Sequence, residues 1–437
     1  MTPAPIRADV YDVTHALNSI RVSGVLAPGE IRLLSYLVEE TLAGRASNLH
    51  QKVIAADVFG KEITSFNPRS DSIVRTTAGN LRAALGSYYA TRGQSDRVRI
   101  ELHPGTYVPE FCSWGVLSPQ AGSQLWSARA SMEARTVSGY RAAIGKLDTV
   151  LTEDPNCSVA LALKAEALAS QAIHGVRPRP NLEQARVFAG RAVEQLHPAW
   201  QAWLALGIVR QALDRDWQAV EECYSRAIES SSGQAEMNVW YTAFLAGRGR
   251  AREAARNLQR AVDHTGYNNH TCMGDLSLML ILARDYRGAE TVIETGLQCS
   301  PAYYQHHLHR AILLEAQGDP SGALRVLNET PLRLMERPVT WGLRGLFAGL
   351  SGSPEVALRR IQWLRAAGKT GKHIPQSQIA ACWIGAGNHE EAALCLERAA
   401  EERDPLTVLF RAYPMTRHLK GNARYDSLMT GLGLIEN

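Results

Sequence analysis

The strongest constraint on the fold is a small residue that returns at a nearly fixed interval. Ala185, Ala219, Ala254, Ala289, Ala323, Ala357 and Ala392 are separated by 34, 35, 35, 34, 34 and 35 residues. A polar or glycine-containing turn precedes most of them: GRGRAREA ends at Ala254, RDYRGA at Ala289, GDPSGA at Ala323, SGSPEVA at Ala357 and GNHEEA at Ala392. Helix breakers close one helix there and an N-cap opens the next. A period of this length marks a stacked array of helical pairs. Alanine is wanted where two antiparallel helices cross closely, since a larger side chain would push their axes apart. One pair cannot bury its apolar face alone, so neighbours stack and leave a concave groove lined mainly by the first helix of each pair.

The copy from Trp203 to Ile228 carries Trp203, Leu206, Gly207, Ala219, Tyr224 and Ala227. In this pattern of large, small and aromatic packing positions it resembles the tetratricopeptide (TPR) repeat. The resemblance covers about 300 residues from about residue 131 onward, with an eighth, weaker copy around Ser138 to Leu151, set apart by HGVRPRP near Pro178. It implies a superhelical solenoid of about seven or eight repeats and, as ligand, a peptide or protein segment in the groove. Tyr303, Tyr304 and His307 are expected to line that groove. His306 and His309 stand three apart on a helix, but no cysteine or carboxylate has matching spacing, so no metal is expected. Trp203, Trp217, Trp240, Trp341 and Trp383 are expected to fill repeat cores.

Residues 1–111 have a different texture. Helical periodicity runs through IRLLSYLVEETLAG and LHQKVIAADVFG. A third helix, from about Ser70 to Thr91, puts Val74, Ala78, Leu81, Leu85 and Tyr88 on one face at steps of four, three, four and three. Arg75, Thr76, Gly79, Asn80, Arg82 and Ala83 lie off that stripe. Alternation at Val98, Ile100 and Leu102, a His103-Pro104-Gly105-Thr106 turn and Tyr107-Val108 then predict a β-hairpin.

At these residues the segment resembles the OmpR/PhoB-type winged helix. LLSYL is similar to that family's first helix, VIAADVFG to its second, SIVRTTAGNLRAAL to its third and HPGTY to its wing. The segment also resembles a domain at the start of bacterial TPR proteins, through Ile73-Val74-Arg75, Leu81-Arg82, Tyr88-Tyr89 and Pro104 to Tyr107. The resemblance implies that Arg75, Thr76, Asn80 and Arg82 on the helix, and His103 and Thr106 on the wing, contact double-stranded DNA. Arg69, Arg97 and Arg99 are placed for phosphates. Residues 63–100 hold six arginines against two acids, a local balance of +4. Ala83-Ala84 depart from the family, which has a further basic residue there.

The net charge of +4 over 437 residues is too small for general nucleic-acid coating, so DNA binding must be local. Seven cysteines stand singly, without redox or zinc spacing. No apolar run is long enough to span a bilayer, and MTPAPIRADVYDVTHAL has no signal core, so a cytoplasmic location is expected. No phosphate loop, nucleophile elbow or paired-carboxylate motif points to catalysis or a cofactor.

The expectation is a mainly α protein: a winged helix-turn-helix with a small β-hairpin wing over residues 1–111, a linker over 112–131, and an all-α TPR solenoid over 132–437. Its function would be that of a bacterial transcriptional regulator whose array binds a protein, peptide or small molecule that modulates promoter binding, with self-association as a homodimer and no membrane contact. The alternatives are a TPR scaffold whose N-terminal unit does not bind DNA, or a regulatory component of a cyclase-type signalling system.

Overall fold

The structure, a computed structural model, describes residues 10–434 apart from 69, 94–95, 97, 104, 114–116, 134, 196–197, 232–237, 266–269, 332–337 and 370–372. The chain begins with helices α1 (Val10–Val22), α2 (Pro28–Leu42), α3 (Gln51–Phe59) and α4 (Ile73–Thr91). An antiparallel hairpin of β1 (Val98–Glu101) and β2 (Glu110–Ser113) follows. Val74, Ala78, Leu81, Leu85 and Tyr88 are all buried, in a core running from Val13 to Tyr107. The apolar stripe on α4 therefore faces inward as its spacing requires.

The hairpin departs from its predicted pairing. Ile100 faces Phe111 and Glu101 faces Glu110, so Tyr107 and Val108 sit in the loop rather than in the second strand. Tyr107 is only 1% exposed and plugs the core. Arg82 holds the loop open by donating from Nε to the Leu102 carbonyl at 3.0 Å and from one Nη to the carbonyls of His103 and Thr106 at 3.2 and 3.1 Å.

Where a linker was expected, residues 119–133 instead form helix α5 (Pro119–Glu133). Ser118 accepts a hydrogen bond from the Ala121 amide, and proline at the first helical position is pre-set for the turn. Ala121, Leu125 and Ala128 then pack against Ala143, Leu147 and Val150 of α6 (Val137–Glu153). Ser-Pro and Gly-Ser read as linker composition; here they start a helix and let it lie close to a strand.

The array follows as pairs: α7 (Ser158–Ile173) with α8 (Pro178–Val193), α9 (Trp200–Leu213) with α10 (Trp217–Ser230), and α11 (Val239–Gly247) with α12 (Ala251–Thr265). Then come α13 (His270–Leu282) with α14 (Tyr286–Cys299), α15 (Tyr304–Ala316) with α16 (Pro320–Glu329), α17 (Pro338–Leu350) with α18 (Pro354–Lys369), and α19 (Gln376–Gly385) with α20 (His389–Glu401). This is a TPR-type array. Ala254, Ala289, Ala323, Ala357 and Ala392 are each the fourth residue of their helix and fully buried. The first two predicted anchors are out of register. The fourth residue of α10 is Val220, fully buried, whereas Ala219 is only partly covered; the fourth residue of α8 is Asn181, with Ala185 one turn further on. Asn181 fills its place by bonding Gln171 and the Val176 carbonyl, which a search for alanine misses.

Beyond α20 the chain turns back. Two 3₁₀ segments, Pro405–Leu409 and Pro414–Leu419, precede α21 (Ala423–Gly431). The first 3₁₀ segment lies against α7, α9 and α11 and the second against α15 and α19, which are first helices of their pairs, and both also touch α20, the second helix that precedes them. Val408 sits so close to Gly247 that any side chain there would strike its carbonyl. Val408 and Leu409 join the core of the early repeats; Phe410, Met415, Leu419, Tyr425, Met429 and Leu434 join that of the late ones. The Trp217 indole donates to the Leu432 carbonyl at 2.7 Å and Arg215 to that of Ala400 at 2.7 Å. This strut fills much of the concave face. No described helix is long and apolar enough to cross a membrane.

Candidate functional site

The part of the concave face that the strut leaves open lies at the N-terminal end of the array. There α4, the hairpin loop and the end of α5 form one wall, and α7, α9, α11 and α13 form the other. Between them is a cavity of about 770 Å³. Its size falls in the range of small-molecule and short-peptide sites.

The N-terminal wall carries several residues predicted to meet DNA. Arg75, Gly79 and Arg82 lie on one helical face and line the cavity, as do His103 and Thr106. Arg75 donates to the Pro68 carbonyl, and its Nε is buried with no partner among the described residues. Arg82 is committed to the hairpin loop, and Thr106 accepts from the Val108 amide at 2.9 Å. Thr76 and Asn80 point elsewhere and are exposed. Arg99 is 2% exposed, its guanidinium 4.9 Å from the centre of the Tyr89 ring on its way to α5. Arg69 and Arg97 lie outside the described residues.

The hairpin is covered on both faces. Val98 and Ile100 sit in the N-terminal core, while Arg99 lies against Gly122 of α5 and Glu101 accepts from Arg129 at 2.6 Å. His103 bridges Glu110 at 2.9 Å and Glu101 at 3.4 Å. The Glu101, His103 and Glu110 side chains are close enough to share a cation, but the Arg129 guanidinium already supplies positive charge at the Glu101 oxygen. Burial alone would raise the Glu110 carboxyl; the hydrogen-bonded His103 ring and nearby Arg129 instead hold it at about 2. Glu110 also accepts from the Trp200 indole of α9 at 3.2 Å, which ties the hairpin to the array.

On the array wall, Asp275 is 2% exposed and takes both its oxygens to Arg135 at 2.8 Å. That bidentate pair joins the start of the array to α13, and an acid in so apolar a helix signals such a partner. Glu166 of α7 accepts from the Asn238 amide at 3.1 Å, and burial pushes its carboxyl up. Glu133, at the end of α5, is likewise raised by burial against the pull of His103 and Arg82. Trp200, Trp240 and Tyr140 supply aromatic surface.

The predicted groove residues divide. Tyr303 lies 4.6 Å from His270, a cavity residue, ring centre to ring centre. Tyr304 packs partly buried against the core of the late repeats. His307 turns away: its ring bonds the Pro301 carbonyl at 2.7 Å and lines a separate hollow between α14, α15 and α16. His306 and His309, the pair with metal-like spacing, are both buried, and His309 meets the Ser277 hydroxyl at 2.8 Å. Sequence reading missed Glu133, Glu166 and Asp275, because their convergence depends on the curvature of the array.

No protein-family model matches the sequence, and no curated protein matches it. Solved structures similar in fold include a Pseudomonas aeruginosa pilF structure, 21% identical, covering 46% of this chain and 93% of its own at a TM-score of 0.32. YrrB, described as a TPR protein with an unusual peptide-binding site, is 17% identical over 42% of this chain and 89% of its own, at 0.28. Yeast Tom70 is 12% identical over 97% of this chain and 90% of its own, at 0.40.

Proposed function

We propose that the protein is a TPR adaptor that works by binding, not by catalysis, and takes its partner in the cavity between the N-terminal unit and the array. One observation carries this reading: the arginine face of α4 and the hairpin loop are turned into the array, with the hairpin held to α5 and α9 by Arg129 and Trp200. A basic face kept for DNA would stay open to a duplex carrying a phosphate charge every few ångströms. The N-terminal unit, with its winged-helix motifs, then serves as one wall of a binding site.

The second reading, a DNA-binding regulator, draws on Thr76 and Asn80, exposed one turn apart on α4. It requires the N-terminal unit to leave the array before Arg75 reaches a groove.

The test pairs two measurements on the full chain. The tagged protein is recovered from its own cells as wild type and as Trp200→Ala, and the wild type is titrated with its own upstream DNA at two salt concentrations. A stoichiometric protein partner lost in Trp200→Ala, with no sequence-preferring DNA binding, supports the adaptor. Salt-sensitive, sequence-preferring DNA binding that Thr76→Ala plus Asn80→Ala removes would overturn it.

A further inference from the structure

The charges around the cavity sort into those already satisfied and those still open. Arg135 with Asp275 and Arg129 with Glu101 are closed ion pairs. Arg75 and Arg82 remain on the N-terminal wall, each with N–H groups that have no acceptor among the described residues: the buried Nε of Arg75, and the Nη of Arg82 that does not bond the hairpin loop. Across the cavity from them stands Glu166 of α7, with one oxygen taken by Asn238; Glu133, at the end of α5, lies on the arginines' own wall within the pull of His103 and Arg82. Two arginines with open N–H groups on one wall and a carboxylate with an open oxygen on the other, with indole and phenol rings beside them, define a dipolar site.

We infer that this cavity binds a zwitterion of the amino-acid or short-peptide class. Its carboxylate meets Arg75 and Arg82, its ammonium meets Glu166, and its side chain lies on Trp200 and Trp240. A ligand with a carboxylate alone would leave the second Glu166 oxygen without a hydrogen bond, and an amine alone would leave the arginine edge bare; a ligand with both charges satisfies both walls. Burial raises the Glu166 carboxyl, which is the cost an ammonium would remove. Gly79 marks the way in: it lines the cavity, and a side chain there would meet no atom within 4 Å. The inference rests on the reading of this cavity as the binding site and names what that site recognises.

The experiment is calorimetric titration of the full chain with the twenty L-amino acids and a set of dipeptides. Each binder is then compared with its own deaminated and decarboxylated analogues, so free amino acid and peptide are told apart directly. The expected result is saturable binding that weakens by about tenfold or more when either charge is removed from the ligand, and by a similar factor in Glu166→Gln. Gly79→Leu should abolish binding while melting no lower than wild type, since it fills the cavity and replaces a helical glycine. Absence of heat from every member of the panel, or equal binding of a singly charged analogue, overturns the inference. A protein partner that still depends on Trp200 would leave the adaptor reading standing in that case. Conversely, amino-acid binding without a protein partner would overturn the adaptor and retain the zwitterion site.

Discussion

His306 is completely buried, and among the described residues neither ring nitrogen has a hydrogen-bond partner. Burial, with smaller repulsion from His270 and His307, lowers it from 6.5 to about 4; burial likewise takes His309 to about 3. A base whose folded pKa is depressed is kept neutral by the fold, so below about 6.5 the unfolded chain binds protons that the folded chain refuses. Stability should therefore fall as pH drops from about 6.5 towards 4, by on the order of 3 kcal/mol for His306. Urea midpoints at pH 7.5 and 5 measure this, and His306→Leu should flatten the profile; an unchanged profile in that variant would exclude His306 as its source. Arg82 supports a second prediction. Because it bonds three loop carbonyls, Arg82→Ala should cost about 2 kcal/mol or more and speed amide exchange around Leu102 to Tyr107. Loss of DNA or ligand binding in that variant alone would therefore report a collapsed loop, and Arg82→Lys, which cannot reproduce the fork, should rescue little.

The repeated element shows which parts of the pattern are backbone rules and which are packing rules. Before each second helix from α10 onward, one residue adopts positive φ: Gly249, Gly318, Gly352 and Gly387 in four pairs, Arg215 and Arg284 in the other two. A left-handed conformation costs a side-chain-bearing residue about 1 kcal/mol. Arg284 is exposed, so Arg284→Gly should raise stability by up to about that amount in thermal melts, less what glycine loses in backbone entropy. Arg215→Gly should gain less, since it forfeits the bond to Ala400. The anchor register can be checked in the same way. Ala289→Leu should destabilise by about 1–3 kcal/mol through overpacking, whereas Ala219→Leu should stay within about 0.5 kcal/mol. Five anchors were legible because alanine occupies them; Asn181 and Val220 were not, because hydrogen bonding and a neighbouring repeat can satisfy the same place with another residue. Helix α5 was hidden by its Ser-Pro and Gly-Ser pairs. The pairing of the hairpin was hidden because Tyr107 alternates like a strand residue while serving as a core plug. Within the site, Arg75, Arg82, His103 and Thr106 were found from motifs, yet what they face is set by distant repeats.

At the scale of the whole molecule, the early and late repeats hold separate cores that the returning strut joins. Ending the chain at Asp404 would remove Val408, Leu409, Phe410, Leu419, Tyr425, Met429 and Leu434, all at most 5% exposed, from both. At about 1.5–3 kcal/mol for each buried apolar side chain, the loss is comparable with the whole stability of a typical domain. Such a truncation should lose its single cooperative melting transition and show a larger radius of gyration by X-ray scattering; a compact, cooperatively melting product would refute the bridging role. Open solenoids tolerate gain or loss of units, because each repeat touches only its neighbours. Here Val408 must come to rest on Gly247 and the carbonyl of Leu432 on the Trp217 indole. Duplicating or deleting one helical pair between α11 and α20 would carry the returning segment past its seats by a full step. The number of repeats is thus fixed by closure, and this protein can diversify by changing side chains far more readily than by changing its length.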